Sequence, residues 1–292
     1  MNIAVYGRSF HDSFISSIQE FFDEIGKRNA KLFIYEAFYS YLRPRVKISS
    51  PSELFSKHSE IAGKADVLIS IGGDGSMLDT ITLIRNSGIP LLGINTGRLG
   101  FLSNVSKNEI VQAIESLYQK KYTIEERVLL KVETEKKMFG TANFGLNELT
   151  LHRKDSGSMM TIHAYIDDNY LNSYWADGLI VSTPTGSTAY SLSCGGPIVV
   201  PGSGNFIITP IAPHNLNVRP VVVPDSSVIR LKVEGRSKSY FVSLDSRSET
   251  IEAESELVIT KTDFKVKLIR LENQDFFTTI RNKLTWGIDK RN

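Results

Sequence analysis

A glycine-rich turn that contains one carboxylate is the most chemically suggestive feature of this sequence. Gly72-Gly73-Asp74-Gly75-Ser76 follows the apolar run Val67–Ile71 and precedes a helical pattern that begins at Met77. The glycines leave backbone N–H groups accessible at a helix N-terminus, where the helix dipole favours an anion such as phosphate. A phosphate cradle gains nothing from a negative charge. Asp74 is therefore either the N-cap of the helix or a group that acts on a ligand beside bound phosphate.

A loop rich in hydroxyl side chains and glycines is the second feature that could bind a ligand. It spans residues 177–197, begins with a strand pattern, and predicts a short helix that starts near Ser187 or Thr188. Small hydroxyl residues supply donors and acceptors without filling a pocket, which suits a ribose or the edge of a purine. Tyr190 could stack on a base, although a position in the core or at a rim fits its residue type better.

An amide beside a carboxylate forms the third feature. Asn147 and Glu148 lie in a β-patterned run, where adjacent residues point to opposite faces of a sheet. Both can therefore serve one site only at a strand end or a β-bulge. Taken alone, this pair fits a solvated turn, just as the hydroxyl-rich loop taken alone fits a surface loop.

Composition excludes several classes of function. The 292 residues carry a formal net charge of only +2, so the chain lacks the basic field typical of proteins that bind nucleic acid or an anionic membrane. The single cysteine, Cys194, excludes an internal disulfide and a multi-cysteine zinc site, and is expected to be small and buried. No apolar run reaches the ~20 residues of a spanning helix. We expect a cytoplasmic protein in which any metal is bound by oxygen.

Alternating strand and helix patterns position the glycine turn within the first hundred residues. Strand patterns lie at residues 3–6, 31–35, 67–71 and 89–94, and helical patterns at residues 14–25 and 76–86. This alternation predicts an α/β domain with a parallel, Rossmann-like sheet, whose ligands bind beyond the carboxyl ends of the strands. Gly7, the glycine turn and Asn95-Thr96-Gly97 all follow strands and should line one crevice.

Residues 38–59 interrupt this alternation with a polar, weakly patterned segment. The segment contains two prolines, several serines and the basic residues Arg43, Arg45 and Lys47. We expect a mobile flap here. Its basic residues fit a solvated face, although a flap over a triphosphate would use them.

The pattern becomes mainly β near Lys121. Short β-rich segments separated by turns follow, at residues 128–132, 159–166, 178–182, 228–233, 240–244 and 256–259. We expect an α/β domain over residues 1–120 and a mainly β domain over residues 121–265. Residues 266–292 should form a C-terminal segment that packs back on the first domain.

Four motifs in this chain have the residues, order and separations of a known family. They are Gly72-Gly73-Asp74-Gly75-Ser76, Asn95-Thr96-Gly97-Arg98-Leu99-Gly100-Phe101-Leu102, Asn147-Glu148 and residues 177–190. Together they resemble the motif set of the NAD kinases, and the last is the most specific. The glycine turn alone is shared with diacylglycerol, sphingosine and phosphofructo-kinases. The resemblance implies transfer of the γ-phosphoryl group of ATP to the 2′-hydroxyl of the adenosine ribose of NAD, giving NADP, by a homodimer or homotetramer.

The resemblance also implies roles for individual residues. Asp74 would be the catalytic base beside the 2′-hydroxyl, and Mg²⁺ or another divalent metal would arrive with ATP, held mainly by phosphate oxygens. The turn residues expected to accommodate the phosphates of ATP are Gly72, Gly73, Gly75 and Ser76. The residues expected to bind NAD are Asp74, Gly75, Asn147, Glu148, Asp177, Thr185, Thr188, Ala189, Tyr190, Ser191, Ser193, Ala212, Asp245 and Arg247.

Two other classes of function stay open. A kinase of the same glycine-turn group could act on a lipid or a sugar, although the chain lacks a lipid-binding hydrophobic segment. A nucleotide-binding regulator without catalysis would keep the motifs, and the intact Asp74 argues against it. The preference between NAD and NADH is also open, since Tyr174-Trp175-Ala176 stands where some bacterial members of the family carry arginine.

Overall fold

The computed structural model describes residues 1–97, 99–154, 160–235, 237, 239–253, 255–272 and 274–286. The chain forms two compact units: the first comprises Met1–Glu126 and Val266–Asn292, and the second comprises Arg127–Lys265. Arg98, Met159 and residues 287–292, which belong to the predicted motifs and segments, lie outside the described ranges. Within those ranges, no helix is both long and apolar enough to cross a membrane.

A parallel sheet forms the centre of the first unit. Its strands lie in the order β3-β2-β1-β4-β5. They are β1 (Asn2–Gly7), β2 (Lys31–Tyr35), β3 (Ser52–Phe55), β4 (Val67–Ile71) and β5 (Leu91–Ile94). The helices between and after them are α1 (Ile15–Lys27), α2 (Glu36–Leu42), α3 (Asp74–Ile84) and α4 (Ile110–Gln119). Every residue of β4 is buried, as expected for a strand covered on both faces.

Helical spacing of apolar residues explains how α1 packs. Ile18, Phe21, Phe22 and Ile25 recur every three or four residues and are all buried, so they form one face against the sheet. The opposite face carries polar side chains. The predicted α/β unit with a parallel sheet is therefore confirmed.

The segment at residues 38–59 is not the flap that its composition suggested. Its first residues complete α2, and β3 pairs in parallel with β2 from Leu32 opposite Ser52 to Tyr35 opposite Phe55. Leu42 and Phe55 are buried in the core of the unit. The strand escaped prediction because β3 is the outermost strand, and three of its four residues are exposed.

The second unit is mainly β, as predicted. Its strands are β6 (Tyr122–Glu133), β7 (Phe144–Gly145), β8 (Glu148–Arg153), β9 (Met160–Ile166), β10 (Asn169–Ala176), β11 (Gly178–Ser182), β12 (Asn205–Ile211), β13 (Val221–Pro224), β14 (Ile229–Glu234), β15 (Ser239–Leu244), β16 (Arg247–Glu252) and β17 (Glu256–Leu271). One helical turn, α5 (Tyr190–Ser193), follows the hydroxyl-rich loop. An antiparallel sheet runs in the order β13-β12-β11-β8-β15-β16, and a further set of paired strands runs β10-β9-β14-β17.

One apolar core joins the strands of the second unit. Leu151 and Phe206 come from the six-stranded sheet, whereas Ile162 and Leu231 come from β9 and β14, and all four are fully buried in the same cluster. The ends of β6 and β17 belong to the first unit, where Leu268 of β17 lies opposite Leu91 of β5. Helix α6 (Phe276–Leu284) follows β17 and begins at the N-cap Asp275.

Candidate active site

Three turns of the first unit meet at the carboxyl edge of its parallel sheet. Strands β1, β4 and β5 are neighbours, with Gly7 opposite Ile71 and Ile71 opposite Ile94. The N–H of Gly72 donates to the carbonyl oxygen of Ile94 at 2.8 Å, which ties the glycine turn to the end of β5. The turns after these strands are therefore adjacent, as the strand pattern predicted.

The glycine turn presents an open helix N-terminus. Gly73 is the N-cap of α3, and Asp74 is the first helical residue. Gly72 has a φ of +152°, and a Cβ on it would lie 2.2 Å from Ser76 Oγ, so only glycine fits there. At Gly73 and Gly75, in contrast, a Cβ would meet no atom within 4 Å among the described residues beyond the adjacent backbone. The turn is thus closed on one side and leaves room on the other, which is the shape an anion site needs.

The carboxylate of Asp74 is held by a neighbouring loop and not by its own helix. Its Oδ2 accepts the N–H of Phe101 at 2.8 Å, and its Oδ1 accepts the N–H groups of Leu102 and Ser103, both at 3.0 Å. The interpretation of Asp74 as the N-cap is therefore wrong, because Gly73 holds that position. Three donors fix both oxygens and leave the carboxylate half-buried at the turn.

A second glycine allows this loop to close around Asp74. A Cβ on Gly100 would lie 1.8 Å from Asp74 Oδ1 and 2.4 Å from Asp74 Cγ, so no side chain fits there. Asn95 stabilises the loop from within, since its Oδ1 accepts the N–H of Gly97 at 2.6 Å and its Nδ2 donates to the carbonyl of Ser103 at 3.4 Å. The Asn95 to Leu102 motif is thus the support of Asp74.

A cation that the sequence reasoning missed lies beside the glycine turn. Arg8 Nη2 pairs with Asp79 Oδ2 at 2.6 Å, and the hydroxyl of Tyr6 donates to the same oxygen at 2.8 Å. Burial and the carboxylate of Asp79 raise the pKa of Tyr6 above its usual range. Asp79 lies one helical turn beyond Gly75, and the side chain of Arg8 is 59% exposed, which leaves it accessible to a ligand. The position of Arg8 directly after Gly7, at the end of β1, is the sequence feature that could have identified it.

Asn147 and Glu148 lie at a strand end in the second unit, which is the geometry that the sequence required for a shared role. Strand β8 begins at Glu148. Asp245 holds the turn that precedes it: Oδ2 accepts the N–H of Leu146 at 2.8 Å, and Oδ1 accepts the N–H groups of Asn147 at 2.8 Å and Glu148 at 3.2 Å. Asn147 Oδ1 and Glu148 Oε2 are buried and accept no hydrogen bond from the residues described. These two oxygens could therefore accept hydrogen bonds from a ligand.

Burial changes the protonation of Glu148. Its carboxyl is desolvated and lies near the carboxylate of Asp245, and these two effects raise its pKa to about 8. Burial also raises the pKa of Asp245, while the N–H groups of Leu146 and Asn147 oppose that rise. At neutral pH Glu148 is mainly protonated, so it can donate as well as accept a hydrogen bond.

The hydroxyl-rich loop is bonded to this same turn. Thr183 donates its hydroxyl to the carbonyl of Leu146 at 2.6 Å and its N–H to the carbonyl of Asn147 at 2.8 Å. Gly186 packs so closely that a Cβ would lie 2.1 Å from the carbonyl oxygen of Asn147. Where the sequence predicted a short helix from Ser187 or Thr188, the structure has a 3-10 turn, Gly186–Thr188, followed by α5 from Tyr190. Asp245 and Thr183 thus clamp the Asn147 turn from its amide and carbonyl sides.

The remaining predicted residues of this loop divide into buried and accessible ones. Thr185 is buried and accepts a hydrogen bond from Arg127 Nη1 at 3.1 Å. Ser191 is buried and its hydroxyl pairs with that of Thr209 at 2.8 Å. Tyr190 and Ser193 are exposed, and Thr188 and Ala189 are half-buried. Cys194 was expected to be buried, but it is half-buried, because it lies at the surface end of α5 beside the exposed Gly195.

Three predicted residues lie elsewhere in the second unit. Asp177 Oδ2 pairs with Arg153 Nη2 at 3.1 Å. Ala212 is exposed and has a φ of +43°. Arg247 donates to the carbonyl oxygens of Ala142 and Phe144, so it braces the backbone that leads into the Asn147 turn. Among the described residues, no group of three or more His, Cys, Asp or Glu side chains is arranged to hold a metal ion.

Comparison with known sequences identifies two domains in the chain. The family model for the ATP-NAD kinase N-terminal domain matches residues 41–122. The model for the ATP-NAD kinase C-terminal domain matches residues 146–271. The first match contains the glycine turn with Asp74, and the second contains Asn147, Glu148 and the hydroxyl-rich loop.

Full-length relatives agree with these matches. The chain is 47% identical to an NAD kinase of Cytophaga hutchinsonii, 48% identical to one of Flavobacterium psychrophilum and 42% identical to one of Bacteroides fragilis, each over 100% of both sequences. Among solved structures, the yeast NADH kinase complexed with NADH superposes with a TM-score of 0.88 at 25% identity, over 99% of this chain and 89% of the yeast chain. The chain therefore belongs to the NAD kinase family.

Proposed function

We propose that Asp74 accepts the proton of the adenosine 2′-hydroxyl while the chain, as an ATP-dependent NAD kinase, phosphorylates NAD to NADP. The observation that supports this role is that the carboxylate of Asp74 is held in a fixed position at an open glycine turn. Phe101, Leu102 and Ser103 hold both oxygens through backbone N–H groups. Oδ2 accepts only one of these bonds, so it keeps a lone pair for a hydroxyl.

Phosphoryl transfer depends more on the position of the carboxylate than on its strength as a base. Phosphoryl transfer passes through a loose transition state, in which the attacking and leaving oxygens lie roughly in line. The 2′-oxygen forms a bond to the γ-phosphorus, the bond from that phosphorus to the bridging oxygen of ADP breaks, and the hydroxyl proton passes to Asp74. A carboxylate can accept this proton late in the step and orient the hydroxyl early.

The phosphates of ATP are proposed to bind at the open side of the turn. The N-terminus of α3 offers N–H groups there, and Gly73 and Gly75 leave space for an anion. Arg8 adds a cation that Asp79 keeps in place. Its five donors in a fixed fork suit phosphate oxygens.

The same residues limit how a divalent metal would be held. Loop amides engage Asp74 and leave Oδ2 a lone pair that is proposed for the 2′-hydroxyl, while Arg8 and Tyr6 engage Asp79, so neither carboxylate is proposed to hold the metal. Mg²⁺ would therefore be held mainly by phosphate oxygens and water, where it would neutralise charge on the moving group.

For NAD, residues with an unpaired polar atom or an accessible surface are proposed to contact the ligand, and buried residues with engaged polar atoms to position them. Asn147 and Glu148 carry acceptors that have no partner among the described residues, and accessible surface for the adenine and its ribose is offered by Tyr190, Ser193, Thr188 and Ala189. Asp177 is proposed to reach the nicotinamide end. Because their polar atoms are engaged by the protein, the proposed positioning residues are Thr185, Ser191, Asp245 and Arg247.

A homodimer or homotetramer stays a prediction from the family resemblance, in which Ala212 lies where a neighbouring loop or subunit reaches the substrate pocket. A cytoplasmic location and the absence of nucleic acid and membrane partners stay predictions from composition. A lipid or sugar kinase and a non-catalytic regulator are not favoured, because full-length relatives are NAD kinases.

The direct test is product formation. Purified protein is incubated with Mg·ATP and NAD, and NADP is measured with a dehydrogenase that requires it. NADH and inorganic polyphosphate are tested in parallel as alternative acceptor and donor. Formation of NADP that depends on both ATP and enzyme supports the proposal, whereas no NADP under varied metal and pH would refute it.

A further inference from the structure

Ser103 contacts both halves of the glycine turn. Its hydroxyl donates to the carbonyl oxygen of Gly72 at 3.0 Å, and its backbone N–H donates to Asp74 Oδ1 at 3.0 Å. The residue is fully buried. It stands one position beyond the Asn95 to Leu102 motif, so no sequence motif singled it out.

The hydroxyl of Ser103 orients one particular peptide group. The peptide between Gly72 and Gly73 is trans, so its carbonyl and its N–H point in opposite directions. Because the carbonyl faces the buried Ser103, the N–H of Gly73 points away from it. Gly73 is exposed, with no atom within 4 Å of where a Cβ would stand, and so this donor belongs to the open side of the turn.

Two consecutive glycines make this peptide easy to turn over. Glycine populates positive and negative φ about equally, and the Gly72-Gly73 pair has no side chain that would resist rotation of the peptide between them. A rotated peptide would aim a carbonyl oxygen at the space proposed for phosphate. The Ser103 hydroxyl favours the orientation that presents the N–H.

Ser103 is itself held in place from behind. A Cβ on Gly93 of β5 would lie 2.7 Å from Ser103 Cα, so glycine at position 93 permits this close approach. The carbonyl of Ser103 accepts the N–H of Gly100 at 3.1 Å. A small, fully buried residue in a loop that packs closely against β5 is a rigid support for the turn.

We propose that Ser103 is a positioning residue of phosphoryl transfer, whose hydroxyl keeps the Gly73 N–H directed at the phosphate group of the donor. This inference rests on the proposed function, because it assigns the open side of the turn to ATP. Ser103 touches no substrate and acts through the Gly72-Gly73 peptide. Its removal is therefore expected to affect the use of ATP more than the binding of NAD.

The test compares Ser103→Ala with Ser70→Ala. Ser70 is a matched control: it is also fully buried, lies on β4 two residues before Gly72, and its hydroxyl has no hydrogen-bond partner among the described residues. The kcat/KM for ATP, the KM for NAD and the thermal midpoint are measured for each. We expect kcat/KM for ATP to fall about tenfold to a hundredfold in Ser103→Ala with KM for NAD within about twofold of wild type, and Ser70→Ala to resemble wild type. If Ser103→Ala fails to fold, Ser103→Cys is compared with Ser70→Ala instead, because cysteine keeps a side chain there with only a weak donor.

Each result separates the inference from the proposed function. If Ser103→Ala matches Ser70→Ala in its kcat/KM for ATP, or raises the KM for both substrates equally, the inference is overturned while NAD kinase activity stands. If the wild-type protein forms no NADP, the proposed function fails and the inference with it.

Discussion

At the residue scale, the role proposed for Asp74 depends on how its carboxylate is held. A carboxylate with three backbone donors cannot swing away, and each donor comes from a loop that Gly100 allows to approach. The sequence identified the acid and the loop as separate motifs. Their contact spans 27–29 positions along the chain, which is why the sequence alone left open whether Asp74 was a cap.

Gly100→Ala should therefore inactivate the enzyme without unfolding it. A Cβ placed 1.8 Å from Asp74 Oδ1 forces the carboxylate or the loop to move, and a displacement of about 1 Å can cost about a hundredfold in kcat. The measurement is kcat together with the thermal midpoint. Gly97→Ala is the control in the same loop, since its Cβ would lie 3.8 Å from the nearest atom, Asn95 Oδ1. Equal activity of the two variants would contradict this account of Gly100.

Glu148 makes stability depend on pH. Its pKa rises from 4.5 to about 8 on folding, so between these values the folded protein binds a proton that the unfolded chain has released. Stability should fall as pH rises through this window and level off above it. Glu148→Gln should remove roughly 4 kcal/mol of that fall between pH 5 and pH 9, an order-of-magnitude figure from the size of the shift.

Urea unfolding at pH 5 and pH 9 measures this effect. Of the two tryptophans, Trp175 lies in the second unit and Trp286 in the first, so a Trp286→Phe background makes Trp175 fluorescence a reporter of the unit that contains Glu148. Glu135→Gln alters an exposed carboxyl and serves as the control. If the free energy of unfolding changes with pH as much in Glu148→Gln as in the wild type, the raised pKa of Glu148 is contradicted.

At the scale of elements, the first turn of α3 has been kept open at a cost in helix stability. Gly75 lies inside the helix with space around it, although alanine would be more favourable there by about 0.5–1 kcal/mol. No described atom beyond the adjacent backbone requires glycine at position 75, whereas the phosphate proposed to bind at this turn would require it.

Gly75→Ala is expected to raise the thermal midpoint and to lower kcat/KM for ATP by about tenfold or more, because its methyl group enters the phosphate space. Gly26→Ala in α1 is the matched control. Its Cβ would meet only Ser50 Oγ at 3.9 Å, so it should stabilise the protein without changing the kinetics. Unchanged use of ATP by Gly75→Ala would exclude phosphate from this side of the turn.

Elements with a clear apolar pattern were predicted better than those at sheet edges. The buried strand β4 and the amphipathic α1 matched their patterns, and β11 matched its predicted residues. Strands β3 and β16 end their sheets and are mostly exposed, so they lack a clear apolar pattern. Asp245 was named from the motif, but its clamp on the Asn147 turn joins residues 97–99 positions apart and became visible only in the fold.

At the scale of the whole molecule, each unit carries its own set of the family's motifs. The glycine turn and Arg8 belong to the first unit, and the Asn147 turn and the hydroxyl-rich loop to the second. The N-terminal family model covers the glycine turn but not Arg8, and the C-terminal model covers the Asn147 turn and the hydroxyl-rich loop. Because the net charge of the chain is only +2, the proposed binding of phosphate depends on this local turn and not on an overall positive charge.

The turnover of Asp74→Asn tests the central claim most directly. The amide keeps one acceptor oxygen, which can still accept the N–H groups of Leu102 and Ser103, but it loses the bond from Phe101 and cannot take the hydroxyl proton. With saturating Mg·ATP and NAD, NADP formation should fall by about a hundredfold or more, while the dissociation constant for NAD stays within about threefold of wild type. Turnover near that of the wild-type enzyme would contradict the assignment of Asp74 as the base and leave it a support for the loop.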